Sequence, residues 1–298
     1  MWVTLLLIFI IFPPLTPAWP ALPAVFAPGD LLLSFENGSV QWRDPAGRIK
    51  SVLVSTVPGP AEGMNFDSAG NLYVARWCGP FCYTGDTVEK FNANGVSQGR
   101  WGSGYCSPHA IDFDGAGNAY VGQADCAGIV LKLSGGAVTT AYAVATENRG
   151  SFWIDLAPDG CTLFYTSWGP NVKRFNVCTS TQLPNFNQTP LPGGETHGLR
   201  VLPDGGVLVS SGAVIVRLNA SGAVTQTYSL PTAEAQYWAG LDLVGDGTFW
   251  AANYLPSGVF NANIFRFDLA TGQVRASFDT GTPPEDVVDI RVSRGAGL

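Results

Sequence analysis

Two histidines in 298 residues leave few positions for imidazole chemistry, and only 13% of the chain is charged. No cluster of Lys or Arg interrupts a composition whose net charge is −7, so nothing here suits a phosphate backbone and nucleic acid is excluded as a partner. The chain lacks a Gly-x-Ser-x-Gly elbow, a phosphate-binding Gly-rich loop and a His-Glu-x-x-His helix, which removes the common serine-hydrolase, nucleotide and zincin signatures. Long helices are also excluded, because 36 Gly and 21 Pro punctuate the sequence too often. The one long apolar run, Trp2 to Phe12, is stopped by Pro13 and Pro14. It falls short of the roughly 20 residues a spanning helix needs. Residues 1–27 therefore read as a secretory signal with small residues at Ala18, Ala21, Ala24 and Ala27. The missing basic n-region leaves open an uncleaved, lipid-embedded segment. No stable membrane span is expected, and the mature chain is expected to be secreted, periplasmic or extracellular.

What the sequence does have is an internal repeat. Gly70, Gly117, Gly160, Gly205 and Gly247 recur at intervals of 47, 43, 45 and 42 residues, each in a turn between two apolar alternating runs such as HAIDFDGAGNAYV and HGLRVLPDGGVLV. A period near 45 built only from strand-type segments predicts an all-β fold, a β-propeller with one four-stranded blade per repeat. The region 28–298 is then one domain. Its first repeat lacks an inner strand, since Asp30 to Phe35, Gly38 to Arg43 and Ile49 to Val54 supply only the outer three. The missing strand stands at the other end, Asp286 to Val292. Six blades follow, at 30–57 with 284–293, 58–104, 105–149, 150–193, 194–235 and 236–283, closed by a C-terminal strand that leaves no open sheet edge. A monomer is expected.

The six cysteines fall into local pairs: Cys78 with Cys82, Cys106 with Cys126, and Cys161 with Cys178. A hairpin turning at Gly169-Pro170 and pairing residue 167 with 172 sets Cys161 opposite Cys178, within disulfide reach. Closing such a loop contributes about 3 kcal/mol in the chain-entropy model. Thiolate-metal ligation is the competing reading, but Cys-x3-Cys without a nearby His is a poor zinc spacing. Disulfides imply an oxidising compartment.

Two columns of the repeat carry the candidate chemistry. The residue eight before each turn glycine faces its equivalents around the axis: Glu62, His109, Phe152, His197 and Ala239, with Asp286 from the closing strand. Both histidines of the chain share that ring with two carboxylates. Imidazole and carboxylate together suit a divalent metal ion, and the same groups can act as general acid and base without one. Simple hydrogen bonding between blades is the alternative for both histidines. Three residues further on, the column reads Asn65, Asp112, Asp155, Arg200, Asp242 and Asp289. Four aspartates near an axis repel one another. Either a cation and water occupy the tunnel, or each Asp bonds the backbone of the next blade and Arg200 offsets part of the charge. Trp77, Tyr83, Tyr105, Phe152, Trp153, Trp168, Tyr237, Trp238 and Tyr254 lie near the same rim, as pocket wall or as packing between blades. Lys90, Lys132, Arg174, Arg217 and Arg266 repeat on the third strands and read as blade-edge positions. Sequons at Asn37, Asn187 and Asn219 coincide with turn chemistry.

These repeats resemble the NHL-repeat and senescence-marker-protein/gluconolactonase-like six-bladed propellers and, more loosely, the virginiamycin B lyase-like proteins. The resemblance implies a metal centre at the start of the inner strands, with Glu62 of Glu62-Gly63 and Asp286 as ligands. His109, Phe152, His197 and Ala239 fill the rest of the ring, where the gluconolactonase-like family has two Asn. His109, His197 and Glu62 match the lyase-like relatives in residue type. Two functions are therefore expected to compete. One is a non-catalytic propeller holding a small molecule, glycan or protein at its rim. The other is a hydrolase or lyase in which Glu62, His109, His197 and Asp286 hold Ca, Zn, Mn or Fe and His109 and His197 are catalytic.

Overall fold

The structure, a computed structural model, describes residues 25–77, 86–125, 128–230, 237–254, 263–282 and 287–295. The readings on the 1–27 leader, on Cys78, Cys82, Tyr83 and Cys126, and on Asp286 fall wholly or mainly outside these residues. Six antiparallel four-stranded sheets form the ring, each ordered from the axis outward in chain order except the first. That sheet runs from Val287–Val292 to Leu31–Phe35, Val40–Arg43 and Ile49–Leu53, so the C-terminal strand supplies the inner position of blade one. The other inner strands are Ala61–Phe66, Pro108–Phe113, Ile154–Leu156, Thr196–Val201 and Tyr237–Leu243. Among the described residues no helix is long and apolar enough to cross a membrane.

Burial follows strand position. Second strands are buried along most or all of their length, fully so in Leu72–Arg76 and Ala119–Gln123, because both of their faces are covered by neighbouring blades. Outer strands such as Ile49–Leu53 are exposed along most of their length. The core is divided into clusters between blades, among them Phe249, Phe267 and Trp238, and Phe164, Phe186 and Leu199. Close packing at the axis depends on small residues. A Cβ at Gly63 would lie 2.5 Å from the His109 carbonyl oxygen, and one at Gly240 would lie 2.2 Å from Asp289 Oδ1.

The axial aspartates bond the backbone of neighbouring inner strands. Asp289 accepts from Met64 N, Asp112 from Leu156 N, Asp155 from Val201 N and Asp242 from Val292 N, at 2.9, 2.6, 2.6 and 2.8 Å. Arg200 donates to Asp242 at 2.7 Å and lies 3.7 Å from Asp155. A second cation, Arg291, pairs with Asp289 at 2.8 Å and also donates to the Met64 carbonyl. Two arginines thus face four aspartates. Burial, only partly offset by Arg200, pushes Asp155 up to about 7. Burial likewise pushes Asp289 up to about 6 against the pull of Arg291. For Asp242, burial is outweighed by Arg200 and Arg291, and its carboxyl is held below the usual range.

Cys161 and Cys178 are bonded, with Cα atoms 5.2 Å apart. The register differs by one from the expected pairing: Thr162 faces Asn176, and Val177 N donates to the Cys161 carbonyl. Cys178 sits one residue beyond the facing position, where Asn176 Oδ1 accepts from the Cys178 and Thr179 amides and curls the chain back. Cys106 is also disulfide-bonded. The third-strand cations mostly lie over second-strand rings, Lys90 on Tyr73 and Lys132 on Tyr120, at 5.1 and 5.2 Å. Asn187 is buried and its side chain bonds Val172 N, so of the three sequons only Asn37 and Asn219 are simple turn caps.

Candidate functional site

At the end of the ring where the inner strands begin, a cavity of about 590 Å³ opens on the axis. Glu62, His109, Phe152, His197 and Ala239, the rim column of five blades, all line it, and Val287 and Val288 line it from the sixth. They converge because each is among the first three residues of an inner strand or lies just before one, where six strands splay from a common axis. Aromatic walls come from longer segments: Trp77 and Trp168 follow second strands, Tyr254 ends one, and Trp153 and Tyr237 flank the column. Tyr105 and Trp238, expected as possible wall residues, do not line it: Trp238 is in the core and Tyr105 packs against the core. Tyr105 donates to the Trp101 carbonyl, and Trp238 packs on Phe265 and Phe267.

The ring residues are deeply buried, with Glu62 4%, His109 5% and His197 6% exposed. His109 Nε2 lies 3.1 Å from Glu62 Oε2. The imidazole stacks on Phe152 at 3.7 Å between centroids, and Phe152 meets His197 edge-on at 5.4 Å. Phe152 therefore touches both histidines, and their partners differ. His197 Nε2 bonds the Tyr237 hydroxyl, which in turn donates to Glu195 Oε2 at 2.6 Å. Burial, with His109 and Arg149 adding to it, pushes His197 down to about 3, so it is neutral over the physiological range. Burial and the Glu195 carboxylate push the Tyr237 phenol up.

Among the described residues no three His, Cys, Asp or Glu side chains are grouped to hold a metal ion. Glu62 and His109 meet, His197 is turned to Tyr237, and Asp286 lies outside the described residues.

Sequence columns did not identify Arg149 or Glu36, which both line the cavity from connecting segments. Arg149 pairs with Asp125, and its guanidinium lies over Trp168 at 4.7 Å, Phe152 at 5.4 Å and Trp77 at 5.7 Å. Trp77 Nε1 donates to the same Asp125 at 3.0 Å and to Ser107 Oγ at 3.2 Å. Two residues beside the cavity hold strained, left-handed backbone: Ser107 at φ 56° and Trp168 at φ 53°. Strain of this kind persists only where the surroundings over-determine it, and it concentrates at ligand sites. Chemically, the arrangement offers ring faces, a charge-neutralised Arg, a carboxylate–imidazole pair and a second imidazole that stays neutral.

No protein-family model matches the chain, and no curated protein does. Solved structures match its shape. A protein of unknown function from Bacteroides caccae aligns with TM-score 0.70 and 14% identity over 89% of this chain and 98% of its own. A streptogramin B lyase aligns with TM-score 0.63 and 15% identity over 89% and 88%, and the WD40 propeller domain of Doa1 with 0.60 and 12% over 90% and 84%. At these identities the likeness is one of fold, and the chain is a six-bladed β-propeller similar in architecture to all three.

Proposed function

We propose that this propeller binds a small uncharged molecule with an aromatic or apolar face in its rim cavity, and does so outside the cytosol. One observation carries the reading: six aromatic side chains, Trp77, Phe152, Trp153, Trp168, Tyr237 and Tyr254, surround a cavity of about 590 Å³ with only a few polar groups among them. That volume and that mixture are those of a small-molecule pocket. The polar groups disfavour an anionic ligand. Arg149 is already neutralised by Asp125 and covered by rings, so it is poorly available to an anion. A neutral His197 adds no positive charge. The Cys161–Cys178 bond and the apolar segment Trp2 to Phe12 support export.

Tryptophan emission tests the reading, since Trp77, Trp153 and Trp168 line the cavity. Titration with a library of uncharged aromatic and glycosidic compounds is expected to give saturable changes in emission, with matching rises in melting temperature by mass action. Trp168→Ala is expected to remove both. A library without a single saturable compound, or a response that survives Trp168→Ala, overturns the reading.

A second reading is hydrolase or lyase chemistry with His109 and His197 as catalytic groups and a divalent ion held by Glu62, His109, His197 and Asp286. The 3.1 Å pair of His109 and Glu62 favours it, together with the shape shared with a structure named as a streptogramin B lyase. Against it, an imidazole pushed down to about 3 is a weak general base at neutral pH. Elemental analysis of the purified protein separates the readings, because stoichiometric Ca, Zn, Mn or Fe supports the second and its absence removes the metal-dependent form.

A further inference from the structure

We infer that His197 is the specificity-determining residue of the rim cavity. Tyr237 and Glu195 fix it in the tautomer with the proton on Nε2, so that Nδ1 stands as a permanent hydrogen-bond acceptor for an O–H or N–H group of the ligand. The inference rests on the pocket reading above and adds to it a requirement on the ligand: a hydroxyl or amide donor beside its apolar face.

The tautomer follows from counting protons along the chain of contacts. Glu195 is solvent-exposed, and its carboxylate only accepts. The Tyr237 hydroxyl has one proton and gives it to Glu195 Oε2, at 2.6 Å. Tyr237 can then only accept from His197, so the shared proton on that side belongs to Nε2. A neutral imidazole with Nε2–H carries its lone pair on Nδ1.

Access separates the two histidines. His109 Nδ1 is sealed from solvent and has no partner among the described residues, so a ligand cannot reach it without displacing the wall. His197 lines the cavity, is not sealed in this way, and among the described residues its imidazole makes no hydrogen bond other than the one to Tyr237. With Nε2 taken by Tyr237, Nδ1 is the ring nitrogen left to a ligand. The aromatic contacts hold the ring in place, with Tyr237 at 4.6 Å, Phe152 at 5.4 Å and Trp168 at 5.4 Å between centroids. Tyr237 and Glu195 act here as positioning residues. They set which nitrogen accepts, and an analogue whose donor is methylated would leave that buried acceptor unmatched.

Protein labelled with ¹⁵N-histidine tests this without any ligand, so failure here is distinct from failure to find a binder. The chain has only two histidines, and His109→Gln assigns them. Two-bond ¹⁵N–¹H correlation spectra are expected to show His197 as the Nε2–H tautomer in the wild type. Tyr237→Phe keeps the ring wall and removes the hydroxyl. It is expected to move His197 toward a mixture of tautomers while leaving the His109 signals in place. Glu195→Ala, at an exposed position, is expected to move His197 in the same direction by a smaller amount. A wild-type His197 protonated on Nδ1, or a His197 spectrum unchanged in both variants, overturns the inference. If Tyr237→Phe does not fold, the wild-type spectrum and Glu195→Ala decide it.

Discussion

Three residues along the same inner strands separate two rings of polar side chains that behave in opposite ways. The inner ring, Asp112, Asp155, Asp242 and Asp289 with Arg200 and Arg291, bonds each aspartate to the backbone of a neighbouring inner strand. The rim ring follows no single residue type, reading Glu62, His109, Phe152, His197 and Ala239 in five blades, and it opens on a cavity. Its polar groups are tied locally and incompletely, and His109 Nδ1 has no partner among the described residues. Repetition thus accompanies a structural role, because at four of the six blade junctions an aspartate satisfies an inner-strand backbone amide of the neighbouring blade. Where the repeat is broken, the side chains are released from that duty and can serve a ligand.

The comparison predicts that damage at the inner ring unfolds the protein and damage at the rim does not. The largest effect is expected for Arg200→Met, which strands Asp242 and Asp155 in a buried site without their cation. Breaking a buried pair by removing one partner costs about 3–5 kcal/mol. Denaturant unfolding is expected to show a midpoint lowered accordingly or no soluble protein. A wild-type midpoint would mean that the ring is hydrated and the charges are screened.

Cys161→Ala with Cys178→Ala comes next. The bond staples the hairpin whose tip carries Trp168, and its loss is expected to cost about 3 kcal/mol through the unfolded chain. Calorimetry compares the two proteins. An unchanged melting temperature would show that the rim wall does not depend on the staple.

The third expectation concerns pH. Asp155 is pushed up to about 7 in the folded protein, above the ordinary carboxyl value near 4. The folded state therefore binds its proton more tightly than the unfolded state, and this contribution is complete below about pH 4 and lost as pH rises through 7. Asp155→Asn stays neutral and does not lose it. The melting temperature of the variant relative to wild type is expected to shift in the variant's favour between pH 5 and pH 8. A difference that stays constant with pH would place Asp155 in the ordinary carboxylate range. His197 has the opposite sign. Its stabilising contribution is complete above about pH 6.5, the unfolded value, and is lost as pH falls toward 3.

The smallest stability effect is expected at the rim itself. Trp168→Ala removes a half-buried wall residue and should cost about 1 kcal/mol, as an average substitution does, while abolishing ligand-induced emission changes. A loss of stability as large as that of Arg200→Met would erase the distinction between the two rings.

The sequence by itself determined the parts that repeat. Glycine spacing set the blades, the out-of-phase first repeat showed that Val287–Val292 closes the ring, and the column eight before each turn glycine placed Glu62, His109, Phe152, His197 and Ala239 on one cavity. These are consequences of strand periodicity and of a common axis, and both are written in residue intervals. Arg291 was also within reach of that logic, since it lies two residues beyond Asp289 and so on the same face of the strand. Only the tertiary structure decided the rest. Arg149 and Glu36 reach the cavity from connecting segments of unequal length, where no period applies. The Cys161–Cys178 hairpin took a register one residue from the symmetrical one because Asn176 Oδ1 caps the turn. His109 turned to Glu62 and His197 to Tyr237 because Phe152 packs against both rings and each imidazole takes the partner on its own side. Rotamers and loop paths are set by what packs against them, which residue order along one strand does not contain.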